Sequence, residues 1–435
     1  MDLLKSIFKG DKVIWIIFLC LCLISIIEVF SAASTLTYKS GDHWGPITQH
    51  SIILMVGAVV VVFLHNVPYK WFQVFPVFLY PISLVLLAFV TLMGIITGDR
   101  VNGAARWMTF MGLQFQPSEL AKMAVIIAVS FILSKRQDEE GANPKAFKYI
   151  MILTGLVLLL IAPENLSTAM LLFGVVFMMM FIGRVAAKKL LLLAGGLVLI
   201  VALGVGTVVA IPAKTLHNTP GLHRLETWQN RIKGFFDKDE VPAAKFDIDK
   251  DAQIAHARIA IATSHVVGKG PGNSIQRDFL SQAFSDFIFA IVIEEMGLIG
   301  GIFVVFLYLC LLMRAGRIAQ KCERTFPAFL VMGIALLLVS QAILNMMVAV
   351  GLFPVTGQPL PLVSKGGTST LINCAYIGMI LSVSRYTAKL EEQSEHDALP
   401  TMQIETDNGD ESTYSEAQSA AEPTAKMLNS DAEFE

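Results

Sequence analysis

Cysteine is scarce in this chain and poorly placed for crosslinking: Cys20, Cys22, Cys310 and Cys374 lie inside apolar runs and Cys322 in a short basic loop. None falls in a segment expected outside the cell, so neither a disulfide framework nor a thiolate metal site is expected. Nucleotide-loop spacing is missing too. GKGPGNS at 268–274 has glycines but neither the GxxxxGK[ST] order nor a preceding strand, which excludes a phosphate loop and leaves a surface turn. Asp247, Asp249 and Asp251 open like a calcium loop, but Ala252 stands in place of the required glycine and Arg258 in place of the closing glutamate. The same Asp-x-Asp spacing occurs in nucleotide-sugar transferases, yet the segment is too short for a nucleotide-binding α/β domain. No internal repeat is evident, which argues against an inverted-repeat transporter. Net basic charge is absent as well: 33 basic residues face 35 acidic ones, so no nucleic-acid partner is expected.

What the chain has in abundance is apolar length. With 54% hydrophobic residues in 435 and repeated runs of about 20, it reads as an all-α polytopic membrane protein. Spans are expected at 13–34, 49–65, 71–96, 118–134, 148–162, 166–183, 190–212, 287–313, 327–352 and 368–384, about ten in all. The first run follows Lys5, Lys9 and Lys12 and ends near Ser31-Ala32-Ala33, but it is longer than a signal-peptide core and is taken as a span. Basic residues alternate between loops: Lys70; Lys135, Arg136, Lys145 and Lys148; Arg184, Lys188 and Lys189; Arg314, Arg317, Lys321 and Arg324; then Arg385 and Lys389. The positive-inside rule makes that side cytoplasmic, puts both termini inside, and leaves one long outer loop, 213–285, between spans 7 and 8. From Glu391 onward thirteen acidic residues accompany a single lysine, Lys426, and this tail, 391–435, reads as a disordered cytoplasmic segment following a membrane domain of 1–390.

The polar residues at the outer boundary are the candidates for chemistry. Ser285 and Asp286 lead directly into the run from Phe287 to Met313. A carboxylate at that depth is a site hypothesis, and equally a helix N-cap, since Asp accepts bonds from the first free amides. The loop 98–122 puts Arg100, Arg106 and Trp107 outside, and Glu119 with Lys122 has the i,i+3 spacing of a pair on one helix face. PENLSTA at 163–169 places Glu164 and Asn165 at the same depth, where a capped turn would account for them. The long outer loop should contain helices of its own, among them an amphipathic one at 224–236 with Leu225, Trp228, Ile232 and Phe235 on one face. Farther into the membrane, Glu294 could share a polar cavity with Asp286, whereas Glu295 should bond a neighbouring helix. Gly297 and Gly301 have small-xxx-small spacing, Glu28 is expected to be a buried structural partner, and Asn345 an interhelical contact.

Three motifs in order, ARWM with QPSELAK, GNSIQ followed by SDFIFAIVIEEMGLIGG, and GLFPVTGQPLPLVSKGGTS, resemble the SEDS family of shape, elongation, division and sporulation proteins over most of residues 13–390. GNSIQ resembles its division branch more than its elongation branch. The resemblance implies a peptidoglycan glycosyltransferase that polymerises lipid II at the outer face of the cytoplasmic (inner) membrane, at the septum. It implies Asp286 as the essential aspartate and general base, with Arg106, Trp107, Glu119, Lys122, Gln282, Ser364, Lys365 and Gly366 around the substrate, and Pro361 and Gly367 in the same late loop. It further implies a class B transpeptidase partner, other division proteins and membrane lipid. The chain departs from the pattern in three places. Leu280-Ser281-Gln282 replaces Leu-Pro-Glu, PENLSTA replaces PDLGTA, and Lys365 stands where tyrosine is usual. The leaving pyrophosphate would be met by Arg106, Lys122 and Lys365, with or without a divalent ion, Mg or Mn. Competing readings are a flippase or transporter, which would need polar groups across the whole bilayer, and a non-catalytic scaffold, indifferent to loss of Asp286.

Overall fold

The computed structural model describes residues 9–32, 45–96, 107–110, 113–138, 141–211, 229, 251–280 and 284–398. Among these residues there are eleven α-helices: α1 (Lys12–Ala32), α2 (Gly45–Asn66), α3 (Phe75–Ile96), α4 (Pro117–Lys135), α5 (Pro144–Ile161), α6 (Leu166–Ile182), α7 (Ala187–Ala210), α8 (Asp251–Thr263), α9 (Ile288–Gln320), α10 (Thr325–Ala349) and α11 (Thr368–Ala398). Eight of them are long and apolar enough to cross a membrane, and α6 is a shorter apolar helix. With α11 they give the ten helices expected from hydropathy, and α8 is an extra helix in the long loop. Two small hairpins were not expected: Met108–Phe110 pairs with Leu113–Phe115, and Gln137–Asp138 with Gly141–Ala142. The predicted amphipathic helix at 224–236 lies outside the described residues, apart from Gln229.

Residues through Lys389 form one compact unit, and Leu390–Glu435 a second. The helix containing the last span continues to Ala398, past the start of the predicted disordered tail; 399–435 lie outside the described residues.

Helix α4 is the buried centre, with Ala121, Lys122, Ala124, Val125, Ile126, Ile127 and Val129 at 0% exposure. It packs between α3 and α10, and α9 against α10 is the most extensive helix contact. By contrast α7 leaves Leu191, Leu192, Val198 and Ile200 uncovered, the surface of a helix whose neighbour is hydrocarbon. Contacts sort the loops by end. Asp11 meets Arg314 at 2.5 Å, Arg385 donates to Asn66 at 2.8 Å, and Thr325 reaches Ser134 O at 3.5 Å, which gathers basic segments at one end. Ser31 with Glu295, Gln114 with Thr368 and Asp286 with Asn345 meet at the other.

The span predicted as one run from Phe287 is broken. Gly297 has φ 74° and ψ −176°, which divides α9 in two. An unbroken helix would pair the carbonyls of Glu294 and Glu295 with the amides of Leu298 and Ile299. Instead the amides of Lys269 and Gly270 donate to Glu294 O at 3.0 Å and Glu295 O at 2.8 Å, while Leu298 N and Ile299 N donate to His265 O and Val266 O at 3.3 Å. Four backbone groups, each costing about 1–3 kcal/mol if buried unpaired, are thus all paired by the glycine-rich turn. The approach is close: a Cβ on Gly297 would lie 2.3 Å from Val266 O, and one on Gly268 2.3 Å from Glu295 O. Gly297 is therefore where another segment enters its own helix, rather than a small residue at a helix–helix seam.

Candidate functional site

Asp286 lies in the turn 284–287 ahead of α9, and the N-cap position falls on Phe287, with no side-chain cap bond. Its carboxylate accepts from Ser285 Oγ at 3.1 Å and is part-exposed. Asp286 therefore stands one residue before the helix, and its backbone is tied to neighbouring elements. Asn345 Nδ2 donates to Asp286 O at 2.9 Å and also to Gln358 O at 2.8 Å. Ser364 Oγ donates to Ser285 O at 2.7 Å, and Lys365 N donates to Phe284 O at 2.9 Å. Three consecutive carbonyls of the turn are thus fixed by α10 and the 351–367 loop.

That loop is itself clamped from many sides. Gln341 Nε2 donates to Pro359 O at 3.0 Å, Gln358 Nε2 to Thr168 Oγ1 at 2.6 Å, Ser25 Oγ to Val363 O at 2.7 Å, and the Tyr308 hydroxyl to Pro361 O. Leu360 N donates to Ser364 Oγ at 2.7 Å. Side chains from α1, α6, α9 and α10 replace the backbone pairing that an irregular segment at this depth lacks.

Glu119 and Lys122 form the predicted ion pair, 2.7 Å apart and at 2% and 0% side-chain exposure. The ammonium expected to meet a pyrophosphate is committed to Glu119 and, at 2.9 Å, to Gln341 Oε1. It acts through Gln341 on the loop. Lys365 is the described cation beside the turn, half-buried, its Nζ 5.7 Å from the Phe284 ring centroid. Burial holds its amine below the ordinary lysine range. Ser364 is buried as a loop anchor, and Gly366 offers its carbonyl to Ser369 N at 2.8 Å at the start of α11. Trp107 is 38% exposed beside the first hairpin. Arg106 and Gln282 lie outside the described residues. Asn165 is the buried cap of α6, accepting from Thr168 N at 3.2 Å, while Glu164 is part-exposed.

Two expectations about the deeper carboxylates change. Glu294 shares no cavity with Asp286: it accepts from Lys269 Nζ at 2.6 Å, Ser274 Oγ at 2.5 Å and the amides of Ile275 and Gln276 at 3.2 and 3.3 Å. Glu295 bonds the neighbouring helix through Ser31, as expected, and also takes Gly272 N at 2.9 Å and Ser274 N at 3.2 Å. GKGPGNS is thus a turn whose amides bind the Glu295 carboxylate while its Lys269 and Ser274 side chains bind that of Glu294, and not a free surface turn. Glu28 is buried at 0% exposure, but neither carboxylate oxygen has a hydrogen-bond partner among the described residues. Gln341, Gln358, Thr168, Ser25 and His50 were missed. The available signal was polar residues recurring at i,i+4 inside apolar runs, as Gln341 and Asn345 do on one face of α10.

No three His, Cys, Asp or Glu side chains come together among the described residues.

A family model described as "Cell cycle protein", for FtsW, RodA and SpoVE, matches residues 11–389. The probable peptidoglycan glycosyltransferase FtsW of Trichlorobacter lovleyi is 32% identical over 377 residues, covering 86% of this chain and 93% of that protein. A protein of the same description from Halomonas elongata is 30% identical over 385 residues, covering 87% and 91%. A structure described as "Structural coordination of polymerization and crosslinking by a peptidoglycan synthase complex" is similar with TM-score 0.68 and 24% identity, covering 87% of this chain and 99% of that one. The rod shape determining protein RodA of Thermus thermophilus is similar with TM-score 0.59 and 23% identity, covering 87% and 97%. The two structural likenesses concern the fold.

Proposed function

The chain belongs to the FtsW, RodA and SpoVE family of cell cycle proteins, and we propose that it is a peptidoglycan glycosyltransferase of the cell inner membrane, extending glycan strands from lipid II at the septum. The observation that carries the site is the fixed turn around Asp286, whose carbonyls are tied to Asn345, Ser364 and Lys365 while its carboxylate stays part-exposed. Asp286 serves as general base: it takes the proton of the acceptor sugar's 4-hydroxyl as that oxygen bonds to the donor's anomeric carbon and the lipid diphosphate leaves. Lys365 offers the departing diphosphate its charge, which is lost as pH rises through the lowered amine pKa. A magnesium or manganese ion at the diphosphate would find one described carboxylate, Asp286, and draw its other oxygens from the substrate. Within this reading 1–390 is the enzyme, with 213–285 its outer loop, and 391–435 a cytoplasmic tail; a chain ending at Leu390 should polymerise as the full chain does.

The test is polymerisation of lipid II by wild type and Asp286→Asn at equal folded amounts, with the transpeptidase partner inhibited. Loss of a general base lowers the rate about 10²–10⁴-fold. The carbonyls of the turn keep their partners in this variant, so the protein should remain folded, and thermal unfolding is followed alongside. Glycan chains of near-normal yield from Asp286→Asn would refute the assignment.

A further inference from the structure

Gln341 is buried in α10, one helical turn before Asn345 on the same face. Its amide lies between two groups of fixed polarity. Oε1 accepts from the Lys122 ammonium at 2.9 Å, and Nε2 donates to Pro359 O at 3.0 Å. An ammonium can only donate and a carbonyl can only accept, so the amide has one orientation, set by the lysine. Lys122 is held in turn by Glu119 at 2.7 Å, and at 0% side-chain exposure its ammonium is closed off from the surface. Beyond Pro359 the bonds continue along the 351–367 loop. Leu360 N donates to Ser364 Oγ at 2.7 Å, Ser364 N donates to Leu360 O at 2.9 Å, and Ser364 Oγ donates to Ser285 O at 2.7 Å, one residue before Asp286. A buried ion pair is thus joined, through one amide, to the carbonyl next to the carboxylate of the site. Gln341 and Asn345 take consecutive carbonyls of that loop, Pro359 O and Gln358 O.

We propose that Gln341 is a positioning residue for Asp286: oriented by Lys122, it pins Pro359 so that Ser364 meets Ser285 and the turn keeps its place. The catalytic consequence rests on the glycosyltransferase reading; the relay of contacts does not. It gives Glu119 and Lys122 a task away from the substrate, that of fixing which end of one amide faces the loop. Were the ammonium absent, the amide could turn over and set its oxygen against Pro359 O, acceptor against acceptor.

Two substitutions cut the relay. Gln341→Met has nearly the same length without either polar atom, and Gln341→Asn keeps an amide in the helix but is a methylene too short to touch both partners. The first measurement, on the purified full chain, is amide hydrogen exchange read by mass spectrometry. Exchange over 358–366 should quicken about fivefold in either variant, the weight of about one hydrogen bond. The second is lipid II polymerisation with the transpeptidase partner inhibited. It should lose up to about 10²-fold in kcat with KM within about twofold of wild type, because the reacting carboxylate shifts while the groups that bind substrate do not. In an Asp286→Asn background the same substitutions should cost less than about twofold, since no base is left to misplace. A raised KM with wild-type kcat, equal kcat losses in both backgrounds, or wild-type exchange over 358–366 would overturn the positioning role. If exchange quickens but wild type makes no glycan, or Asp286→Asn makes it normally, the glycosyltransferase reading falls and the relay of contacts stands.

Discussion

Asn345→Leu is the sharpest probe of how the fold holds its carboxylate. Leucine has the same branched four-atom outline as asparagine and a larger volume, so no cavity forms on α10, but it has no donor. Two carbonyls, Asp286 O and Gln358 O, now 2.9 and 2.8 Å from Nδ2, would both lose their partner. Each buried acceptor left unpaired costs about 1–3 kcal/mol, so the loss should be about 2–6 kcal/mol. The Oδ1 atom has no hydrogen-bond partner among the described residues, so its removal breaks no bond and offsets part of that loss, which puts the net toward the lower end of the range. Released from α10, Asp286 would shift by a fraction of a side chain, and a misplacement of about 1 Å lowers rates about 10²-fold. The assay is thermal unfolding of detergent-purified protein alongside glycan polymerisation, in wild-type and Asp286→Asn backgrounds. If Asn345 acts through Asp286, its loss should reduce the rate strongly in the first background and scarcely in the second. Equal fold-losses in both, or a wild-type rate with wild-type stability, would refute the clamp.

Gly297→Ala should destabilise by about 3 kcal/mol or more, because its backbone region is open to glycine alone and a Cβ would meet Val266 O at 2.3 Å; unchanged unfolding temperature would contradict the broken helix. A cysteine placed at Asn273 should react with an impermeant maleimide in cells stripped of their outer barrier, and one at Ala319 should not; the reverse pattern would move the site to the cytoplasmic face. Co-expression with the division transpeptidase of its organism should yield a stable complex in detergent, and recovery of the chain alone would count against that partner. Chelation should slow polymerisation without lowering the unfolding temperature, since no three His, Cys, Asp or Glu side chains converge among the described residues; a falling unfolding temperature would reveal a protein-held ion.

The sequence by itself determined the ten apolar helices and their approximate limits, though not α8, because hydropathy is a local property and each apolar run must satisfy its own backbone in lipid. It also pointed to Asp286, whose position at the edge of an apolar run is visible in one dimension, and to the Glu119–Lys122 pair, which i,i+3 geometry makes without help from other helices. The break at Gly297 was hidden, since a segment that pairs the freed backbone groups leaves the composition of the run unchanged. The targets of Glu294, Glu295 and Lys122 were hidden for a related reason: a helix fixes which face a side chain occupies but not what comes to meet it. Only the tertiary structure brought GKGPGNS onto two buried carboxylates, withdrew Lys122 from solvent, and set Asn345, Ser364 and Lys365 on successive carbonyls of one turn. Those partners are separated by tens to hundreds of residues, and packing of the helices is what makes them neighbours.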